Sequence, residues 1–588
     1  MFSFLFLVVL AVILFISILK NEQGLLAFLF IAPFYTILRE SSDGSIIFYL
    51  WPYVVMSAIM LSIMIRYSVT KQDWSPRKKY LVFGGGGIVF IAAEIWVAIR
   101  GGLLKALWHS DKHAFLGQLT PGNLAVGLLP IVFVLVAFLV IYFRTMISRE
   151  KSVSKTDILV AGFFWYGVFS IFYTRLLGGG IVNALDGFRY YYVMSLVYFL
   201  CRYLIEPRRH LKIITNGFAA VFVLAALFTL FESYCMNCLK IAIENLPWSG
   251  LLFSELGHMP YGEQGKAFVS GGYTPMGLIR MTHLSGLFLL FGFCLYLPLA
   301  LTQSFEQNKK KYFGLWALVG LLPIGFIFTS RTILISYLIG VLMTVILTKQ
   351  FSKGTLVKVI LVVVLLPLLY SYYLLPGITY DLKSELGFIT TKESYGSNAL
   401  INMTRMMRKD LVYCIAPSST DHPKPQVSRD SPPSTIFNVI FGTGYSATDW
   451  VKRHGNKEDS SYTIQDASDS YYLKVMKQFG VTGLLILLGI GTLLVLDSIS
   501  LLRSSIKDTD RNVFIGILVM LIVVFISTIH LGPLFKTGLN TVIFMYMSLL
   551  TSGSRDPQYN IRLPRNPAVL VSNSPTRLKN FFRFLRSI

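Results

Sequence analysis

Four residues combine chemical type and placement in a way that could serve a polyanionic substrate. Arg331 stands in "FIFTSRTILISY" (326–337), where only Thr329, Ser330 and Arg331 separate the apolar runs 312–328 and 332–347. Arg280 stands in "GLIRMTHLSGLFLLFGF" (277–293), with His283 three positions on, just before another apolar run. Arg189 opens a third, in "LDGFRYYYVMSL". A guanidinium holds its proton at physiological pH and grips phosphate oxygens in pairs, so three at the ends of apolar runs suit a diphosphate. The free amides of a helix starting near Thr332 would add to the attraction. Taken singly, each arginine could instead anchor to lipid headgroups. The fourth residue is Asp469, in "QDASDSYYLKVMKQFGVTGLLILLGI" (465–490). Leu473, Val475, Met476, Gln478 and Phe479 give that stretch an amphipathic helical period leading into an apolar run. Asp469 or Ser470 would cap the helix, and a carboxylate at that point could equally take a proton as a general base. Asp466 competes with it for either role.

The elements that must position these residues are set by composition. Of 588 residues, 54% are hydrophobic and only 14% are charged, against about a quarter charged in soluble domains. Uncharged runs of membrane-crossing length recur from 2–19 to 537–552, so the expected fold is an all-α, polytopic transmembrane bundle of about 14–15 spans. The first run lacks a basic leader and a small-residue cleavage site and reads as a retained span. The second, 24–38, is short, carries Pro33, and is a candidate re-entrant segment.

The net charge of +23 is not spread evenly. Nearly all of it lies in alternate connections: 66–80, 144–157, 202–212, the lysines at 309–311, 348–358, 499–511, and the tail beyond 552. That is the positive-inside pattern; it puts these segments and the C-terminus in the cytoplasm and removes the need for a nucleic-acid partner. The longer connections 236–282 and 376–471 fall on the opposite side. Arg189, Arg280, Arg331 and Asp469 then share that extracytoplasmic side. Three parts follow: generic N-terminal helices over 1–157, a core over 158–552 that includes both long loops, and a basic tail over 553–588. The tail ends in "TRLKNFFRFLRSI", which reads as an amphipathic helix on the inner leaflet.

Other features carry less. "GGGG" at 84–87 has no following Lys-Ser/Thr and suits close helix packing rather than a phosphate loop. Glu94 and Glu232 fall within spans and are candidates for packing or proton sites. Cys235 and Cys238 form a lone C-x-x-C, without the second pair a zinc site needs; a disulfide and two buried thiols are the open readings. No metal site and no cofactor are expected.

The motifs "GLIRMTHLSGLF" (277–288), "FTSRTILISYLIGVL" (328–342), "TRMMRKDLVY" (404–413) with "IFGTGYS" (440–446), and "DASDSYYLKVMKQFGVTGLL" (466–485) occur in this order. The set, running from about 160 to 550, resembles the O-antigen ligase and O-antigen polymerase superfamily of integral-membrane glycosyltransferases. The resemblance implies a GT-C-like bundle and a donor glycan on undecaprenyl diphosphate. It also implies metal-independent, inverting transfer to an acceptor hydroxyl on the outer face of the bacterial inner membrane. Carried over, Arg280 and Arg331 would hold the diphosphate, with Arg189 beside them, and Asp469 would act on the acceptor. His283, Arg405, Asp466 and Tyr472 are ancillary. Ligases usually read His-Asn where this chain has Asp469-Ser470, which turns the expectation towards a repeat-unit polymerase of O-antigen, capsule or exopolysaccharide. Its acceptor would be the growing lipid-linked polysaccharide, with a chain-length regulator as a possible protein partner. The polymerase spacing of arginine and glycine is missed by one, since Gly292 lies twelve after Arg280. A ligase or protein O-oligosaccharyltransferase is the alternative within the fold. A lipid-linked sugar transporter is the alternative class, although the chain lacks the repeated halves common in transporters.

Overall fold

The computed structural model describes residues 2–35, 46–70, 135–147, 153–176, 184, 187–188, 192–235, 282–306, 308–324, 331–349, 353–361, 365, 369, 437, 440–442, 471–503, 508–528 and 538–556. Every regular element among them is helical: α1 Phe2–Leu19, α2 Asn21–Ile31, α3 Ile46–Thr70, α4 Leu135–Ile147, α5 Lys155–Leu176, α6 Ser195–Leu204, α7 Pro207–Ser233, α8 Thr282–Thr302, α9 Lys309–Leu321, α10 Arg331–Thr348, α11 Lys353–Ile360, α12 Tyr471–Leu502, α13 Asp508–Ser527 and α14 Leu539–Arg555. A helix bonds all its backbone groups internally, which is what long apolar segments need where water is excluded. Among the described residues, five helices are long and apolar enough to cross a membrane: Lys155–Thr174, Pro207–Ser233, Leu284–Thr302, Gln478–Leu502 and Asp508–Ser527. Five further apolar helices are shorter.

The core is built around α8, α13 and α14. The described side chains of α14 are buried from Leu539 to Ser554, and those of α8 from Leu284 to Ala300. Such helices, covered on all sides, belong at the centre of a bundle. α13 packs on α8 and α10; α14 packs on α6 and α12. Gly516 lets α13 approach the Leu295 backbone, where a Cβ would stand 2.9 Å from its Cα. Gly292 leaves room for the Phe222 ring, so its place in the sequence has a packing cause.

Several helix ends meet at one end of the bundle. Arg66 donates to the Ile18 carbonyl (3.0 Å) and to that of Leu19; Ser62 donates to Asn21 Oδ1 (2.8 Å). Glu22 reaches Arg209 and His210, each at 3.5 Å, and Arg208 pairs with Asp556 at 3.1 Å. Arg66, Arg208, Arg209, His210 and Asp556 belong to connections that the charge pattern groups on one side of the chain.

Two boundaries differ from the sequence reading. The apolar run to residue 328 is not one helix: α9 stops at Leu321 and tightens into a 3-10 turn over 322–324. Pro323 is the cause, because it has no amide to donate and its ring crowds the carbonyl four residues back. Gly480 breaks α12 with φ 64° and ψ −173°, dividing the amphipathic start from the apolar span.

Candidate functional site

Arg331 is the first residue of α10, and His283 is the second of α8; their backbones are described and their side chains are not. Arg189, Arg280, Arg405, Asp466 and Asp469 lie outside the described residues, as do Glu94 and Cys238. The supporting helices are well defined. α8 and α10 are joined through α9, so they run in the same direction, and they pack side by side. Their rings Phe293 and Tyr337 lie 4.4 Å apart, and a Cβ on Gly340 would stand 2.9 Å from Cys294 Sγ. Phe293 and Cys294 lie eleven and twelve residues from the start of α8, and Tyr337 and Gly340 six and nine from the start of α10. At 1.5 Å per residue the two starts differ in height by about 5–8 Å, roughly one turn. Two helix N-termini, whose first-turn amides have no partner within the helix, therefore open at the same end.

α12 begins at this end too. The Tyr472 hydroxyl donates to the Phe525 carbonyl at 2.6 Å, tying the first turn of α12 to the last turn of α13. Burial pushes its pKa up to about 12, so Tyr472 keeps its proton at neutral pH and commits it to that carbonyl. Tyr472 thus positions the amphipathic segment that follows Asp469-Ser470 in the chain.

The amphipathic segment is clamped again at its far end. Ile440, Phe441 and Gly442, read from sequence as loop, pack against α12 at Gln478–Gly480. The Tyr166 hydroxyl hydrogen is shared between the Phe479 carbonyl (2.5 Å) and the Phe441 carbonyl (3.2 Å). Phe441 also sits among Phe169, Tyr173 and Phe437, with centroids at 5.5, 6.0 and 6.2 Å. The structure thus joins residues 440–442, which open "IFGTGYS", to "KQFGVTG", with 36 positions between Gly442 and Gln478.

The opposite end holds a charged cluster that sequence reasoning missed. Asp157 is fully buried; its Oδ1 accepts from Tyr198 Oη at 2.7 Å and from Arg202 Nε at 3.4 Å. Its Oδ2 accepts from the Ser154 amide at 2.8 Å, while Ser154 Oγ accepts from the Asp157 amide at 2.9 Å. This reciprocal pair is a capping box that starts α5. Arg202 Nη1 donates to Ser552 Oγ at 3.0 Å, binding α6 to α14. Next to it Asp497 Oδ2 accepts from Thr156 Oγ1 at 2.8 Å, and Asp497 Oδ1 stands 3.8 Å from Arg555. Four helices are locked by two acids and two guanidiniums. The Ser154-x-x-Asp157 spacing is the one signal that could have revealed part of it.

Cys235 is a free, buried thiol, and Glu232 is buried on the last turn of α7. Among the described residues no three His, Cys, Asp or Glu side chains gather where a metal could bind. No family model and no curated protein sequence matches the chain.

Proposed function

We propose that the chain is a polysaccharide repeat-unit polymerase in the bacterial inner membrane, with its C-terminus in the cytoplasm and its active site at the outer face. Its donor is a glycan on undecaprenyl diphosphate, and its acceptor is a sugar hydroxyl of the growing lipid-linked chain. The acceptor oxygen attacks the anomeric carbon from the side opposite the diphosphate and inverts it. The carbon–oxygen bond to the diphosphate breaks, and the leaving group departs with the electron pair. Asp469 takes the hydroxyl proton, while Arg280 and Arg331 stabilise the charge gathering on the diphosphate. Fixed donors at a developing anion are often the largest catalytic contribution.

The observation that carries this reading is the parallel packing of α8 and α10. Arg331 is the first described residue of α10, whose start opens together with that of α8, and Arg280 stands two positions before α8 in the chain. Asp469 precedes α12 by two positions, and α12 starts at the same end. A ligase would share donor and arginines and differ in acceptor; Asp469-Ser470, in place of His-Asn, favours the polymerase. The deciding experiment incubates purified protein with a lipid-linked repeat unit alone. A ladder of lipid-linked products supports the polymerase; transfer only when a core oligosaccharide or protein acceptor is added overturns it.

A further inference from the structure

A second site lies at the charged end of the bundle, away from the proposed reaction. A cavity of about 610 Å³ opens between the ends of α8, α9, α10 and α13, with Thr302, Gln303, Lys311, Lys349, Arg511 and Asn512 in its wall. Asp508 is the one acidic side chain lining it, against three cations. Among the described residues Lys311, Lys349 and Arg511 make no ion pair, whereas Asp556 and Asp497, elsewhere at this end, pair with Arg208 and Arg555. Asn512 Nδ2 donates to Thr302 Oγ1 at 2.7 Å, fixing the polar wall between α13 and α8. Lys349 has φ 57° and is the only non-glycine with positive φ among the described residues. A left-handed residue after a helix is normally glycine or asparagine, so a lysine is an uncommon choice at this corner.

An apolar track leads to the same corner. Ile335, Leu338, Leu342 and Ile346 are spaced three or four apart along α10 and are all exposed, ending one turn before Lys349. Lys358 lies over the rings of Tyr312 and Trp316, at 5.4 and 5.8 Å, so an aromatic and cationic cluster stands on α9 beside Lys311 of the cavity wall. That combination matches an amphiphile: aromatics and cations at headgroup depth, with an apolar helix face beneath. A soluble anion would have no use for the track.

We propose that this cavity binds the phosphodiester headgroup of an anionic phospholipid, whose acyl chains lie along the exposed face of α10. The phosphate sits among Lys311, Lys349 and Arg511, and Gln303 and Thr302 offer polar contacts to the glycerol side. The site depends on membrane embedding but not on the glycosyltransferase reading. Because α10 begins with Arg331, a lipid seated at its far end would also brace the helix that carries the proposed donor site.

The test measures lipid retention and thermal stability for the full-length protein in detergent, supplied with phosphatidylglycerol, phosphatidylcholine or soluble glycerol phosphate. Phosphatidylglycerol is expected to be retained preferentially and to raise the melting temperature; phosphatidylcholine and glycerol phosphate are not. Lys349→Asn with Arg511→Gln should weaken that retention by about fivefold per cation removed, since each basic group near an anionic lipid surface contributes about 1 kcal/mol. The variant should melt like the wild type in phosphatidylcholine, which shows that it folds. If it melts lower there, retention by Lys311→Gln alone decides the matter. Equal retention of the two lipids, unchanged retention in the variants, or equal stabilisation by glycerol phosphate would each overturn the proposal, the last by making it a free-anion site.

Discussion

Gly442 and Gly480 lie backbone against backbone: a Cβ on Gly480 would stand 2.6 Å from the Gly442 nitrogen, and one on Gly442 would collide with the Gln478 carbonyl. Both have positive φ, 79° and 64°. With ψ −173°, Gly480 also occupies a region that side chains essentially never adopt. Gly480→Ala therefore meets backbone strain of roughly 1–3 kcal/mol before the collision is added. Its melting temperature should fall well below that of Gly162→Ala, where nothing lies within 4 Å of the new methyl. Equal melting temperatures would mean that the two segments do not meet.

The Tyr166 hydroxyl is the second fastener of the same crossing. Tyr166→Phe leaves the Phe441 and Phe479 carbonyls without that donor, a loss of about 1–3 kcal/mol when such groups stay dry. The prediction is a lower melting temperature together with earlier proteolytic cleavage near residues 440–442. Unchanged proteolysis would show that the aromatic contacts of Phe441 hold the segment alone.

The all-helical, apolar character could be read from sequence because apolar length is a local signal, although of the about 14–15 spans expected the described residues hold five helices long and apolar enough to cross a membrane. Helices over 331–348 and 471–502 fall where the apolar run and the amphipathic period put them. What escaped depends on pairing across the chain. Asp157 and Arg202 are 45 residues apart, in two different basic connections; the structure buries them against each other. The crossing of Gly442 with Gly480 was likewise invisible, since a glycine in a loop motif does not name its partner. Pro323 was visible, but the apolar residues around it concealed the end of α9.

The Asp157–Arg202 pair yields a double-mutant test. Removing one partner strands a buried charge and typically costs about 3–5 kcal/mol, whereas replacing both with neutral groups is often far milder. Asp157→Asn and Arg202→Met should each lower the yield of folded protein sharply, and the double variant should regain much of it. The cluster is distant from the proposed chemistry, so the specific activity of the recovered protein should match the wild type. If the double variant folds well but makes no polymer, the cluster has a role beyond holding α5, α6, α12 and α14.

For the donor site, Arg331→Ala and Arg280→Ala should each lower the polymerisation rate by about 10²–10³-fold, the usual consequence of losing one fixed donor to a developing anion. Melting temperatures should stay near that of the wild type. Lysine at either position should rescue poorly, because it keeps the charge and loses the two-pronged grip on phosphate. A chelator should leave the wild-type rate unchanged. Full activity in an alanine variant would reduce that arginine to a membrane anchor.

Asp469 has two readings, and one substitution separates them. As a cap for α12 it would accept a backbone amide, and asparagine does this about as well, so Asp469→Asn should cost little stability. As a general base it must take a proton, which a side-chain amide cannot do, and such a base commonly contributes about 10²–10⁴-fold in rate. The structure sharpens the comparison, because the Tyr472–Phe525 hydrogen bond already ties the first turn of α12 to α13 and limits fraying when a cap is weakened. Purified Asp469→Asn protein is therefore expected to melt like the wild type, to bind the lipid-linked donor, and to form almost no polymer in a single-turnover assay. Wild-type polymer formation would leave Asp469 as a cap and move the base to Asp466 or to an oxygen of the diphosphate itself. Asp466→Asn, measured alongside, distinguishes those two: loss of rate there names Asp466, and full rate leaves the diphosphate.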